Sequence, residues 1–255
     1  MASTTQTPVG VLLWDIDGTL ISNARSGPNL YQLAAHAVLP NLLPVPNIAS
    51  HGRTDTEMMR LMVRCADLPP RDEETACIRC LDILNTLTAE HVADLRSARI
   101  ILPGIPKFLS QASRVGYCHG LLTGNSRERA KIKLSAFRLW DYFDESISAF
   151  GDESEVRAQV VKLAVARAKE SPNHSNSPLI VSIGDTSKDV EAALAYPIPV
   201  IGVATGIYSI DTLRQSGASL AISSFEKEGV SVFNWLQRQL VPDNGEPPRP
   251  YGRGF

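Results

Sequence analysis

Cysteine is scarce in this chain, with four residues in 255. Cys65, Cys77, Cys80 and Cys118 read as free thiols of a reducing compartment. Cys77 and Cys80 form a CxxC, but they lie inside a helical pattern and no second ligand pair has zinc-site spacing, so they read as small apolar residues on a helix. Histidine is nearly as sparse, with five residues, and His36, His91, His119 and His174 show no metal-ligand spacing. Positive charge is not in excess: 25 Lys and Arg face 27 Asp and Glu, a net charge of −2, which argues against a nucleic-acid partner held through phosphates. No apolar run approaches the roughly 20 residues of a membrane helix, and MASTTQTPVG lacks the basic start and apolar centre of a signal peptide. The expectation is a soluble, cytoplasmic protein with no membrane partner.

What the chain does have is ordinary globular composition, 44% hydrophobic and 20% charged, at a length that supports one large domain or two modest ones. Short apolar runs ended by turn residues predict buried parallel strands over Val9–Trp14, Tyr117–Leu122, Leu179–Ile183 and Pro199–Val203. Ser146–Phe150 and Ser219–Ile222 are shorter candidates. Apolar spacing of three and four predicts helices over Ile105–Val115, Arg127–Phe137, Val156–Lys169 and Asp189–Ala195. This alternation predicts an α/β fold with a doubly wound, mostly parallel sheet.

One stretch breaks the alternation. Residues 21–99 contain helical patterns but no convincing strand. Leu30–Val38 is one helix, a second follows Thr54, whose partner Glu57 makes a capping box, and Arg71–Leu95 is a third, broken once. The organisation is therefore a discontinuous core (1–20 and 100–241) with an all-helical insert (21–99) that returns at the Pro103-Gly104 turn. Pro242–Phe255, rich in Pro and Gly, reads as a flexible tail.

The first strand runs into Asp15 and Asp17. An apolar strand is central in such a sheet, and ligands bind beyond the carboxyl ends of its strands. Gly18 then permits a sharp departure. Two carboxylates this close raise each other's pKa unless a cation joins them, and oxygen-only ligands suit Mg²⁺. Other strand ends supply complementary groups. Thr123, Gly124 and Asn125 offer a hydroxyl and backbone N–H groups for phosphoryl oxygens. Asp185 is a further hard ligand, Asp189 falls in a first helical turn, and Arg157 can offset the negative cluster and grip phosphate.

Asp15-Ile16-Asp17-Gly18-Thr19, then Thr123, Arg157, and Gly184-Asp185 with Asp189, resemble the four-motif pattern of the haloacid dehalogenase superfamily, over Val9 to about Leu240. The insert looks like that superfamily's C1-type cap, and the closest likeness is to its phosphoglycolate-phosphatase-like branch. The resemblance implies a HAD-like, Rossmann-type core and a Mg²⁺-dependent phosphatase acting on a small phosphorylated metabolite. It implies that Asp15 is the nucleophile, forming an aspartyl phosphate, and that Asp17 protonates the leaving alcohol and then deprotonates water. It also implies that Asp15, Asp185 and the Asp17 carbonyl ligate Mg²⁺, that Thr123 binds the transferring phosphoryl group, and that Asp189 orients the metal's surroundings. The third motif usually carries Lys; Arg157 holds the matching position, with Lys162 as a fallback. Cap residues His51, Arg53 and Asp55 could reach the substrate, Arg53 through a phosphate or carboxylate, although Gly52 and Thr54 also serve as an ordinary turn and helix cap. A phosphotransferase or mutase of the same superfamily uses the same residues, and a catalytically silent binding protein would share the fold. A phosphonate hydrolase would need a cap lysine, and residues 21–99 contain none.

Overall fold

The computed structural model describes residues 9–22, 28–171 and 178–240. The tail 242–255 and His174 lie outside them. The first half contains β1 (Gly10–Trp14), α1 (Leu30–Val38), α2 (Asp55–Arg64), α3 (Pro70–Glu90), α4 (Val92–Ala98), α5 (Ile105–Arg114) and β2 (Tyr117–Leu121). The second contains α6 (Arg127–Ala136), α7 (Arg157–Glu170), β3 (Leu179–Gly184), α8 (Ser187–Leu194), β4 (Val200–Val203), α9 (Ile210–Gln215), β5 (Leu220–Ile222) and α10 (Phe225–Leu240). The strands form one parallel sheet in the order β2-β1-β3-β4-β5, so β1, β3 and β4 are interior.

Strand alternation sends neighbouring side chains to opposite faces. Leu12 and Trp14 of β1 pack with Phe108 and Leu109 of α5, Leu134 of α6 and Leu236 of α10. Val11 and Leu13 pack on the other face with Val160, Val161 and Ala164 of α7. Both faces are covered, which is why the strands read as unbroken apolar runs. A separate apolar cluster lies among α1, α2 and α3, with Ala35, Met58, Met62, Cys77, Cys80 and Leu84 at its centre. Cys77 and Cys80 are buried free thiols, and burial pushes both thiols above their ordinary pKa. α3 and α4 are interrupted at His91, the expected single break. No helix among the described residues is long and apolar enough to cross a membrane.

One strand expectation fails. Glu145–Ile147 is a 3₁₀ turn rather than the start of a strand over Ser146–Phe150. The Asp144 carboxylate accepts from the Ser146 N–H at 2.8 Å, and the Ser148 hydroxyl donates back to the Asp144 carbonyl at 2.7 Å. These local bonds compete with a ladder, leaving a single bridge between Ala149 and Leu122. The capping box at Thr54 is half made. Its hydroxyl accepts from the Glu57 N–H at 3.0 Å, but the Glu57 carboxylate pairs with Arg53.

The strand that carries the acidic pair is anchored by a buried imidazole. The Trp14 indole N–H donates to His119 Nδ1 at 3.0 Å, and His119 Nε2 faces the Leu109 carbonyl and the Ser113 hydroxyl, each at 3.2 Å. This arrangement fixes the neutral tautomer. Burial pulls the His119 pKa down to about 4, from an ordinary 6.5. Between those values the unfolded chain binds a proton that the folded chain refuses, so stability falls as pH drops from about 6.5 to about 4, by ~3 kcal/mol in all. Urea unfolding at pH 7 and pH 4.5 should show wild type losing roughly 2 kcal/mol more than His119→Phe. Equal losses would refute the assignment.

Candidate active site

Three strand ends converge. The Asp15 N–H still donates to the Ile183 carbonyl at 2.9 Å, holding its side chain at the carboxyl edge of β1. Gly18, at φ +85°, turns the chain away, and Asp17 bridges Ile21 just beyond. β3 delivers Asp185, and Thr186 caps α8 in a full capping box with Asp189. The Thr186 N–H and hydroxyl donate to Asp189 Oδ2 at 3.0 and 2.7 Å, which aims its other oxygen at the site. β2 leads to Thr123, Gly124 and Asn125, and Ser126 caps α6. Arg157 is the first residue of α7.

Carboxylate oxygens of Asp15, Asp185 and Asp189 lie within 4.8 Å of one another. Arg157 is their cationic neighbour, 3.1 Å from Asp15 Oδ1 and 2.5 Å from Asp189 Oδ1. It does not neutralise the cluster. Burial and the Asp189 charge push Asp15 up to about 7, against the pull of Arg157. Burial and the neighbouring aspartates push Asp185 up to about 9. Asp185 Oδ2 is buried with no hydrogen-bond partner, and Gly206 leaves it room, since a Cβ there would stand 1.7 Å from it. Crowded carboxylates, one with an orphaned oxygen, are a donor set that fits a hard divalent cation such as Mg²⁺.

Asp17 faces the other way. Its Oδ2 accepts from Lys133 Nζ at 2.5 Å and Asn125 Nδ2 at 2.9 Å, and its Oδ1 pairs with Arg99. Although burial opposes it, the charges of Lys133 and Arg99 hold the Asp17 carboxyl far below the usual carboxylate range. Lys133 also donates to Asn125 Oδ1 at 2.6 Å. Thr123 is fully buried, and its hydroxyl accepts from the Asn125 N–H and Nδ2 at 3.3 and 3.0 Å. It braces Asn125 and is not among the residues lining the cavity described next.

A cavity of about 120 Å³ opens between the strand ends and the helical insert, lined by Asp15, Asp17, Gly124, Asn125 and Arg157 from the core side. That is well below the several hundred Å³ of sites for drug-sized ligands, so the space admits a compact ligand. From the insert, His51, Gly52, Arg53 and Asp55 reach it. Arg53 is committed to the Ala49 carbonyl, at 3.1 Å, and to Glu57. Asp55 is locked down. Its Oδ1 accepts from the Tyr31 hydroxyl at 2.7 Å and Arg129 Nη1 at 2.5 Å, and its Oδ2 from the Ser126 N–H at 2.7 Å. The Asp55 N–H donates to the Gly124 carbonyl at 2.7 Å. The insert and α6 of the core are thus joined by a buried ion pair.

The structure brings Asp15, Asp17, Gly124, Asn125, Arg157, Asp185 and Asp189 together around the strand ends, with Thr123 one layer behind and Arg53 at the rim. Lys133, Arg99 and Arg129 were not singled out from sequence. No local signal marked them: the sequence of α6 shows no clear apolar face, and only the structure sets Lys133 beside the buried Ala130 and Leu134.

The family of haloacid dehalogenase-like hydrolases matches residues 12–194. A phosphoglycolate phosphatase of Cupriavidus necator is 27% identical over 236 residues, spanning 88% of this chain and 93% of that one. The crystal structure of a protein described as a predicted phosphatase from Clostridium acetobutylicum superposes with a TM-score of 0.62 at 22% identity, over 89% of this chain and 99% of that one. A β-phosphoglucomutase from Clostridium difficile gives a TM-score of 0.64 at 14% identity, over 91% and 98%.

Proposed function

Because the chain belongs to the haloacid dehalogenase-like hydrolase family, we propose that it is a phosphatase of the phosphoglycolate-phosphatase-like branch, hydrolysing a small phosphate monoester through an aspartyl phosphate on Asp15. The observation that carries this reading is the juxtaposition of two differently tuned carboxylates at the end of β1: Asp15 in the acidic cluster beside Arg157, and Asp17 among Lys133, Arg99 and Asn125. Asp15 attacks phosphorus, and the alcohol leaves with a proton from Asp17. Asp17 then takes a proton from the water that cleaves the acyl phosphate. Arg157, already on Asp15, balances the charge of the incoming phosphoryl group. Gly124 and Asn125 line the same cavity, which supports their receiving phosphoryl oxygens.

Asp15, Asp185 and the Asp17 carbonyl would hold Mg²⁺, with Asp189 beside them. When bound, the ion supplies charge neutralisation and polarises the phosphoryl group. The cation-rich, compact cavity fits a small anionic substrate, and the helices over it exclude bulk water. The purified protein, assayed for phosphate release against a panel of small monoesters, should be active with Mg²⁺ and lose at least about 10²-fold in EDTA. Release from no monoester would overturn the reading in favour of phosphoryl transfer to an organic acceptor or a silent scaffold.

A further inference from the structure

We infer that Lys133 is a positioning residue that holds Asp17 as the proton acceptor of the water-attack step; the inference rests on the phosphatase reading above. Packing gives no reason for a lysine at this place. Its side chain is almost wholly buried on α6, between Ala130 and Leu134, both fully buried. Taking an ammonium out of water is unfavourable unless a partner is fixed for it, and an apolar side chain of similar volume generally serves the fold as well. The partners here are specific. Lys133 Nζ lies 2.5 Å from Asp17 Oδ2 and 2.6 Å from Asn125 Oδ1. The Asn125 amide is thereby oriented so that its Nδ2 gives Asp17 Oδ2 a second donor, at 2.9 Å. Arg99 takes Asp17 Oδ1. The donors come from α6, from the loop after β2, and from the segment that returns from the helical insert.

Each of these donors points a hydrogen at a carboxylate oxygen. A protonated carboxyl would have to set its own O–H against one of them. The constellation therefore fits Asp17 in its proton-accepting form and in one orientation, and it opposes the proton-donating form. The two chemical steps ask opposite things of Asp17. In the second, water oxygen bonds to phosphorus, the bond from phosphorus to Asp15 breaks with its electron pair returning to the Asp15 carboxylate, and the water proton passes to Asp17. That step needs the arrangement seen. The first step, in which Asp17 gives a proton to the departing alkoxide, gains nothing from Lys133.

This asymmetry can be read with p-nitrophenyl phosphate, whose leaving group departs without a proton. In Lys133→Met, steady-state kcat should fall on the order of 10²-fold, whereas the pre-steady-state burst of p-nitrophenolate keeps its rate within about 3-fold and the phosphorylated enzyme accumulates. KM should fall in step with kcat, because kcat/KM reports the unchanged phosphorylation step. Arg99 remains on Asp17, so the substitution strands no buried charge. Should Lys133→Met nevertheless fail to fold, Lys133→Gln, which retains one donor, carries the same comparison with a smaller drop. Burst and kcat falling together, or neither falling, would overturn the inference while leaving the phosphatase reading intact. Wild-type protein that releases phosphate from no monoester would instead overturn the phosphatase reading, and the inference with it.

Discussion

Asp15→Asn is expected to lower phosphate release by at least about 10⁴-fold while leaving the protein folded. The amide keeps the volume and a hydrogen-bond acceptor for Arg157 but has no oxygen nucleophile. The fold should not suffer. Asp15 lies in a cluster where burial and Asp189 push its pKa up to about 7, so its charge is held against resistance. Neutralising it removes repulsion among Asp15, Asp185 and Asp189, and Arg157 keeps its 2.5 Å partner in Asp189. The thermal midpoint of the variant should equal or exceed that of wild type. Phosphate release measured beside the unfolding curve separates the two effects. Activity within 10-fold of wild type in a stable Asp15→Asn protein would remove Asp15 as nucleophile.

The largest effect on stability should come from the insert side. Asp55→Ala is expected to cost about 3–5 kcal/mol. Arg129 and Asp55 are both almost wholly buried, and removing the carboxylate strands a guanidinium that has only the Tyr31 and Thr88 hydroxyls left, at 2.9 and 3.0 Å. The Ser126 N–H at the start of α6 loses its acceptor as well, and α2 loses an acidic residue from its first turn. The double variant Asp55→Leu/Arg129→Met should recover most of the loss, since it leaves no buried charge unpaired. Urea unfolding of the single and double variants is the measurement. A single-variant loss below about 1 kcal/mol would show that water reaches the pair readily.

The two predictions rest on residues that were not equally visible in the chain. Asp15 was legible because its strand announces it: an apolar run that can only be central ends in a carboxylate, where the sheet has its binding edge. Asp185 and Arg157 were legible for the same reason, each at an element's boundary. Ser146–Phe150 misled because a short, partly apolar run cannot reveal that Asp144 and Ser148 will close a local turn. Lys133 and Arg129 sit inside a helix, where spacing alone marks a charged residue as solvated. Only the third dimension brings Asp17 and Asp55 opposite them. The partners are separated by 116 and 74 positions, a pairing no local pattern encodes. α9 and α10 went unremarked, yet Phe225 and Trp235 of α10 complete the core under Trp14.

The helical insert leaves and re-enters the core at one spot. Ile21 bridges Ile101, the Leu102 N–H donates to the Leu20 carbonyl at 3.0 Å, and the Ser22 N–H to the Ile100 carbonyl at 2.9 Å. The two ends of some eighty residues are thus stapled side by side, like the jaws of a clip. Closing a loop whose ends already touch depends only weakly on its length. Changes of length between those jaws therefore ask little of the registry of β1, β2 and β3. The junction is a seam across which the insert's length can change while the strand ends stay in place, provided each new insert finds its own answer to Arg129 and supplies Asp17 with a cation where Arg99 stands.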